Sequence, residues 1–147
     1  PTVNSYRRFA PGTFAPPGLT WGYENRTTCF RLVGHDAGSL RVENRLPGAD
    51  TNPYLTTAAT LAAGVAGILN QIEPEPEVIG SGYAQEPARD FARSMPEAID
   101  RLRGSDFARD WLGARFVDGF TATREAQHDE FRRKVPDVEL QRFFDLG

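Results

Sequence analysis

The sequence predicts an α+β chain in which an antiparallel sheet portion is followed by packed helices, and three observations carry that prediction. Residues 39–46 alternate, with Leu40, Val42 and Leu46 on one side and Arg41, Glu43 and Arg45 on the other, which is the period of two that a strand requires. One side is expected to be core and the other to hold a carboxylate between two guanidiniums. Residues 27–33 collect Thr27, Thr28, Phe30 and Val33, side chains suited to a pleated surface, and Gly34-His35-Asp36-Ala37-Gly38 supplies the turn between the two segments. From Asn52 onward, capping and breaking residues recur at helical spacing.

Residues 1–20 hold Pro1, Pro11, Gly12, Pro16, Pro17 and Gly18. That density stops a regular element after a turn or two, so the segment reads as an ordered loop entering a strand. Arg26 and Arg31 are five apart and would face opposite ways on a regular strand; for the two to converge, Arg26 must sit in the preceding loop or a bulge must intervene. After the turn Leu46-Pro47-Gly48-Ala49-Asp50, Asn52 is placed to cap a helix with Pro53 at its first position, running to about Asn70. Its stretch from Leu55 to Leu69 has no charge and is apolar nearly all round, yet is short of the roughly 20 residues of a membrane span, which predicts a buried core helix.

Glu73-Pro74-Glu75-Pro76-Glu77 favours extended backbone and reads as a surface loop continuing through Gly80-Ser81-Gly82. Beyond it, Ser94 and Glu97 have capping-box spacing, Ser105 caps a short helix, and a longer helix is expected over 115–134 with Phe116, Phe120, Gln127 and Phe131 on one face. Pro136 ends that helix and starts a last one that finishes at Phe143-Phe144. The 147 residues thus divide into a loop and strand hairpin (1–50), an apolar helix (51–70), a loop (71–87) and closing helices (88–147).

Composition narrows the function classes. A net charge of −3 and a pI near 5.4 argue against nucleic-acid or anionic-membrane binding, so the arginines act locally. Cys29 is the only cysteine, which excludes an intrachain disulfide, and without a Cys/His cluster no zinc-type site is expected; a reducing cytoplasm fits. The chain opens on proline and shows no secretory leader, as expected of a fragment or processed chain. His35 and His128 lack spaced partners and are assigned no role. There is no GxxxxGK[ST] run and no GxGxxG after a strand, so any phosphate must be held by side chains. Guanidiniums bind carboxylate and phosphate bidentately and stay charged, and a carboxylate among them can hold a divalent cation.

The motifs form a larger pattern. Asn4-Ser5-Tyr6-Arg7-Arg8-Phe9-Ala10-Pro11-Gly12, Trp21-Gly22, Asn25-Arg26-Thr27, Arg31, Arg41-x-Glu43-x-Arg45 and Asn52-Pro53-Tyr54-Leu55, with Phe107-Ala108-Arg109, Leu112-Gly113 and Phe116-Val117 in the tail, resemble the C-terminal part of the catalytic domain of glutamine synthetases. The resemblance is collinear over nearly the whole of 1–147. It implies that Arg8 holds the carboxylate of substrate glutamate, Arg26 faces the transferred phosphoryl group, Arg31 and Arg41 contact ATP phosphates, Glu43 ligates Mg2+ or Mn2+, and Arg45 reaches glutamate or its acyl-phosphate. It also implies ATP as phosphoryl donor, glutamate and an amine as partners, a cytoplasmic location and a ring-forming homo-oligomer. The family's other metal ligands lie upstream of the matched pattern, so residues 1–147 alone are expected to be inactive.

Two departures refine the resemblance. Ammonia-using members carry a glutamate after the Pro-Gly pair, in a flap that closes over the site, where this sequence has Phe14. Tyr83 lacks the surroundings of the tyrosine that carries adenylyl regulation in some members. Both departures point to the relatives that join glutamate to larger amines such as polyamines or ethanolamine. Phe14 also keeps open a different class, a non-catalytic family member retained for binding or assembly.

Overall fold

The computed structural model describes residues 1–10, 12–87 and 89–146; Pro11, within the arginine-bearing N-terminal pattern, and Ala88, where the closing helices were expected to begin, lie outside the described residues. The chain divides into two compact units, Pro1–Ser94 and Met95–Gly147.

The first unit is built on a three-stranded sheet in the order β1 (Trp21–Tyr23), β2 (Phe30–Val33), β3 (Arg41–Asn44). The predicted hairpin is present: β2 and β3 are antiparallel, with Arg31 opposite Glu43 and Val33 opposite Arg41. The strand that the loop of residues 1–20 was expected to enter is β1; what was not foreseen is that it joins parallel to β2 and makes the sheet mixed. A parallel connection usually needs a dozen residues or more; residues 24–29 suffice here because each strand is so short. Their return path is fixed from within. Asn25 Oδ1 accepts from the Thr27 amide at 3.0 Å, Thr28 Oγ1 donates to the Asn25 carbonyl at 2.9 Å, and the side chains of Thr28 and Cys29 are fully buried beneath the sheet.

The acidic Pro-rich loop is more than a connector. Val78 N–H donates to the Trp21 carbonyl at 3.0 Å, Trp21 Nε1 donates to the Glu75 carbonyl at 2.5 Å, and Glu77 accepts from the Tyr23 amide at 2.7 Å. The loop therefore covers the outer edge of β1, where unpaired backbone groups would otherwise face solvent. The N-terminal loop is also tied down. Ser5–Phe9 form a 3-10 turn, Asp50 accepts from the hydroxyls of Thr2 (2.9 Å) and Ser5 (2.5 Å), and Phe9 packs on Phe91 with ring centroids 4.4 Å apart. Arg93 lies over Phe91 and donates to the Pro17 carbonyl.

Helix α1 (Pro53–Leu69) starts as predicted, with Asn52 Oδ1 accepting from the amides of Tyr54 and Leu55 and Pro53 at its first position. It ends in a left-handed turn at Gln71, where the Ile72 amide donates to the Gly67 carbonyl at 2.9 Å. The expectation of a buried core helix does not hold. Only Ala66 is buried, while Leu61, Ile68 and Leu69 are more than 60% exposed. The side of β3 expected to be core is open too, with Leu40 and Val42 both more than half exposed. The reason is a shortage of cover. The sheet meets α1 through one polar contact, Asn44 Nδ2 to Thr60 Oγ1 at 3.1 Å, beside an open groove of about 730 Å3 lined by Phe30, Val42, Ala59, Leu61, Val65 and Ile68.

The second unit is helical: α2 (Met95–Arg103), α3 (Asp106–Leu112), α4 (Ala114–Arg132) and α5 (Asp137–Phe143). Ser105 Oγ accepts from the Ala108 amide at 3.1 Å, the cap the sequence predicts, and Pro136 precedes α5. Helices α2 and α3 pack against α4. The buried stripe of α4 is Val117 and Thr121, not the predicted row of Phe116, Phe120, Gln127 and Phe131; Phe116 and Phe131 are exposed. Small side chains four apart let two helices approach, and Thr121 meets its own hydrogen-bonding need by donating to the Val117 carbonyl at 2.8 Å.

Candidate active site

The charged face of the β2–β3 hairpin is set by register. Because Arg31 stands opposite Glu43 and Val33 opposite Arg41, residues 31, 41 and 43 share one side of the sheet. Arg31 Nη1 lies 3.3 Å from Glu43 Oε2. Its Nη2 pairs with Glu24, a residue the sequence reading did not single out. That second carboxylate reaches the site from a left-handed backbone, φ +49°, at the start of the return loop. The Arg31 hydrogen bond, with help from the Gly34 amide, holds the Glu24 carboxyl below its ordinary range. The same pairing raises Arg31 above its ordinary value and keeps it charged. Arg41, at the exposed start of β3, donates to the Ser39 carbonyl at 3.2 Å.

A second group forms around Arg45. Its amide extends the ladder to the Cys29 carbonyl at 2.9 Å, while its guanidinium donates to the carbonyls of Arg26, Thr28 (3.0 Å) and Phe14 (3.3 Å). Arg8 braces the same turn by donating to the carbonyls of Leu46 at 2.7 Å and Arg45 at 2.8 Å. Arg8, Phe14, Arg26 and Arg45 are thereby linked through one hydrogen-bonded framework. Arg26 sits in the loop before β2, the placement that its five-residue offset from Arg31 requires for the two to converge, and its side chain is exposed. The Phe14 ring is 86% exposed, so it does not anchor the flap against the sheet. Beneath both arginines lies Cys29, whose thiol burial pushes up to about 11 although Arg45 and Arg8 pull the other way.

Two charge patterns therefore coexist: a Glu24–Arg31–Glu43 chain on the hairpin face and two arginines that stitch backbone segments together. Such an arrangement can bind anions through guanidiniums and offer Glu43 to a cation. Glu43 is half exposed and supplies hard oxygen. Among the described residues no group of three His, Cys, Asp or Glu is placed to hold a metal ion, and Glu43 offers a single carboxylate. His35 Nδ1 lies 3.3 Å from the Tyr23 hydroxyl and His128 lies 3.9 Å from Asp129. No helix is long and apolar enough to cross a membrane among the described residues. Glu24 had a sequence signal, an acid between Gly22 and the Asn25-Arg26-Thr27 turn, but only the return of the chain to β2 shows which arginine it meets.

The hairpin with its cross-strand Arg31–Glu43 pair is carried on an α+β scaffold. Residues 1–143 match the model of the glutamine synthetase catalytic domain, and the chain belongs to that family. It is 42% identical over 146 residues to the gamma-glutamylethanolamide synthetase of Streptomyces coelicolor, covering 99% of this chain and 31% of that protein. It is 37% identical to a glutamate–isopropylamine ligase of a Pseudomonas species, covering 99% of this chain and 32% of that protein. The solved structure described as apo GmaS without ligand superposes with a TM-score of 0.81 at 31% identity, covering 99% of this chain and 33% of that one. The chain thus spans about a third of the length of the relatives it matches.

Proposed function

We propose that this chain is part of an ATP-dependent ligase that joins an organic amine to the γ-carboxylate of glutamate through a γ-glutamyl phosphate. The observation that carries the reading is the cross-strand Arg31–Glu43 pair, with Arg41 on the same face and Arg45 at its edge. Relatives named for an ethanolamide product and for an isopropylamine substrate support it. In this reading a γ-carboxylate oxygen of glutamate attacks the γ-phosphorus of ATP and ADP leaves. The amine nitrogen then attacks the acyl carbon, phosphate leaves, and the nitrogen loses a proton.

Each step crowds negative charge, which guanidiniums offset without titrating. Arg31 and Arg41 contact the ATP phosphates, Arg26 faces the transferred phosphoryl group, and Arg8 and Arg45 hold glutamate and its acyl-phosphate. Glu43 would hold Mg2+ or Mn2+, which when bound neutralises phosphate oxygens. Arg45 also keeps the Phe14 loop and the Arg26 turn in one framework, so the amine side and the phosphoryl side are aligned together. The exposed Phe14 ring offers apolar area and a π face to the methylene chain or cationic group of a larger amine, a contact worth about 0.5–2 kcal/mol. The full-length protein would be a cytoplasmic, ring-forming homo-oligomer.

The test is to measure ADP release and γ-glutamyl-amide formation by the full-length protein across a panel of amines. An organic amine is expected to give the highest kcat/KM, and Phe14→Glu is expected to shift preference toward ammonia. Highest kcat/KM with ammonia, or a preference unchanged by Phe14→Glu, contradicts the amine assignment. A second reading, a non-catalytic binding or assembly protein, is favoured by the phenyl ring at the flap position; it predicts neither product with any amine.

A further inference from the structure

Glu24 occupies a costly position. Its backbone is left-handed at φ +49°, a conformation that side-chain-bearing residues rarely adopt, and its own amide donates to the Leu32 carbonyl at 2.8 Å. Its Oε1 accepts from the Gly34 amide at 3.3 Å, at a turn where φ is +112° and any added Cβ would lie 2.4 Å from the Ser39 carbonyl oxygen. The residue is therefore clamped to both ends of the Leu32–Gly34 segment, and its other oxygen is delivered to Arg31.

Arg31 lies between two carboxylates that differ. Its own side chain is 16% exposed, that of Glu24 is 33% and that of Glu43 is 47% exposed. The Glu24 contact is the tight one, whereas the 3.3 Å contact to Glu43 is longer than the 2.7–2.9 Å usual for such charge-assisted bonds. Arg31 Nε is buried without a hydrogen-bond partner, so the fork is held at its two Nη ends. A mostly buried guanidinium needs a counter-charge, and a carboxylate shared with it is a poorer cation ligand.

We propose that Glu24 is a positioning residue that neutralises and orients Arg31, leaving the more exposed Glu43 free to turn to a divalent cation. The inference rests on the reading of Glu43 as a cation ligand and deepens it: the pair becomes a relay in which Arg31 keeps Glu24 when Glu43 departs. It also supplies negative charge beside Arg31 at the moment a cation arrives nearby.

The test is Mn2+ binding to the full-length protein without substrates, followed by electron paramagnetic resonance, for the parent, Glu24→Gln, Glu43→Gln and the double variant. Without Glu24 the guanidinium captures Glu43, so Glu24→Gln is expected to weaken Mn2+ binding by roughly 10- to 100-fold, the size of loss that changes outside the ligand shell give at metal sites. The same change in the Glu43→Gln background is expected to add less than twofold, a non-additivity that general loosening would not give. If Glu24→Gln leaves Mn2+ affinity within twofold while Glu43→Gln lowers it, Glu24 does not position the site and the proposal fails alone. If Glu43→Gln leaves Mn2+ affinity unchanged, the cation reading falls and takes the proposal with it. Should Glu24→Gln not fold, Glu24→Asp, which keeps the charge and shortens its reach, is measured against the same limits.

Discussion

The two faces of β3 are both open, and they are open for opposite reasons. On one, Arg31, Arg41 and Glu43 line up by register and find partners within the chain, through Glu24 and the Ser39 carbonyl. On the other, Phe30 and Val42 look across a groove at a helix whose leucines and isoleucine are mostly exposed. Exposed charge costs little, because water solvates it; exposed apolar surface forgoes about 25 cal/mol for every Å2 left uncovered. The charge pattern in the sequence therefore reports local pairing that this chain completes. The apolar pattern of α1 reports burial that the described surfaces of this chain do not supply.

The largest effect separating the faces belongs to Arg45. Its guanidinium joins three carbonyls from two segments, the Phe14 loop and the Arg26–Thr28 turn, and hydrogen bonds to a charged group contribute roughly 1.5–3 kcal/mol each. Arg45→Lys keeps the charge and loses the planar fork, so in the full-length protein the glutamate KM is expected to rise at least tenfold, with a fall in melting temperature. An unchanged glutamate titration would reduce Arg45 to a surface strut.

Next comes the contrast between burial and exposure within the 147-residue chain. Val117 is fully buried and Leu61 is 62% exposed. Val117→Ala is expected to cost about 2 kcal/mol in denaturant unfolding, whereas Leu61→Ala should stay within about 0.5 kcal/mol. A larger loss at Leu61 would show α1 to be covered after all.

The third test sharpens what lies under the arginines. Burial raises the Cys29 thiol from 9.0 to about 11, so the folded chain holds its proton more tightly than the unfolded one. The resulting contribution is fully present below about pH 9 and lost as pH rises to about 11, a change of roughly 2–3 kcal/mol. Stability measured across that window should fall more steeply for the parent than for Cys29→Ala. Glu24 works in the other direction: its carboxyl is held low by Arg31, so its contribution is present above the ordinary carboxylate range and lost as pH falls below it.

Much of this was legible in the sequence wherever one local rule settled the outcome. Alternation marked the hairpin, Asn52 and Ser105 capped their helices, and Pro136 broke the chain before α5. Register then carried Arg31, Arg41 and Glu43 to one face, as alternation alone requires for residues 41 and 43. What escaped depended on distant neighbours. The parallel pairing of β1 needs a return loop whose path is decided by Asn25 and by the burial of Thr28 and Cys29. The buried stripe of α4 follows the helices packed on it, so Val117 and Thr121 took the place that aromatic spacing assigned to Phe116 and Phe120. Glu24 escaped because an acid before the Asn25-Arg26-Thr27 turn does not say which arginine the returning chain brings to it.

We propose that the charged face of the hairpin is a cation-assisted site and not a solvated strand, and Glu43→Gln tests this most directly. The substitution preserves shape and removes the charge a hard cation needs. ADP release by the full-length protein, titrated with Mg2+ and with Mn2+ at saturating glutamate and amine, is expected to require at least tenfold more metal in this variant, with little change in melting temperature because Arg31 retains Glu24. Metal titrations that superimpose on those of the parent would show the Arg31–Glu43 pair to be an ordinary surface ion pair.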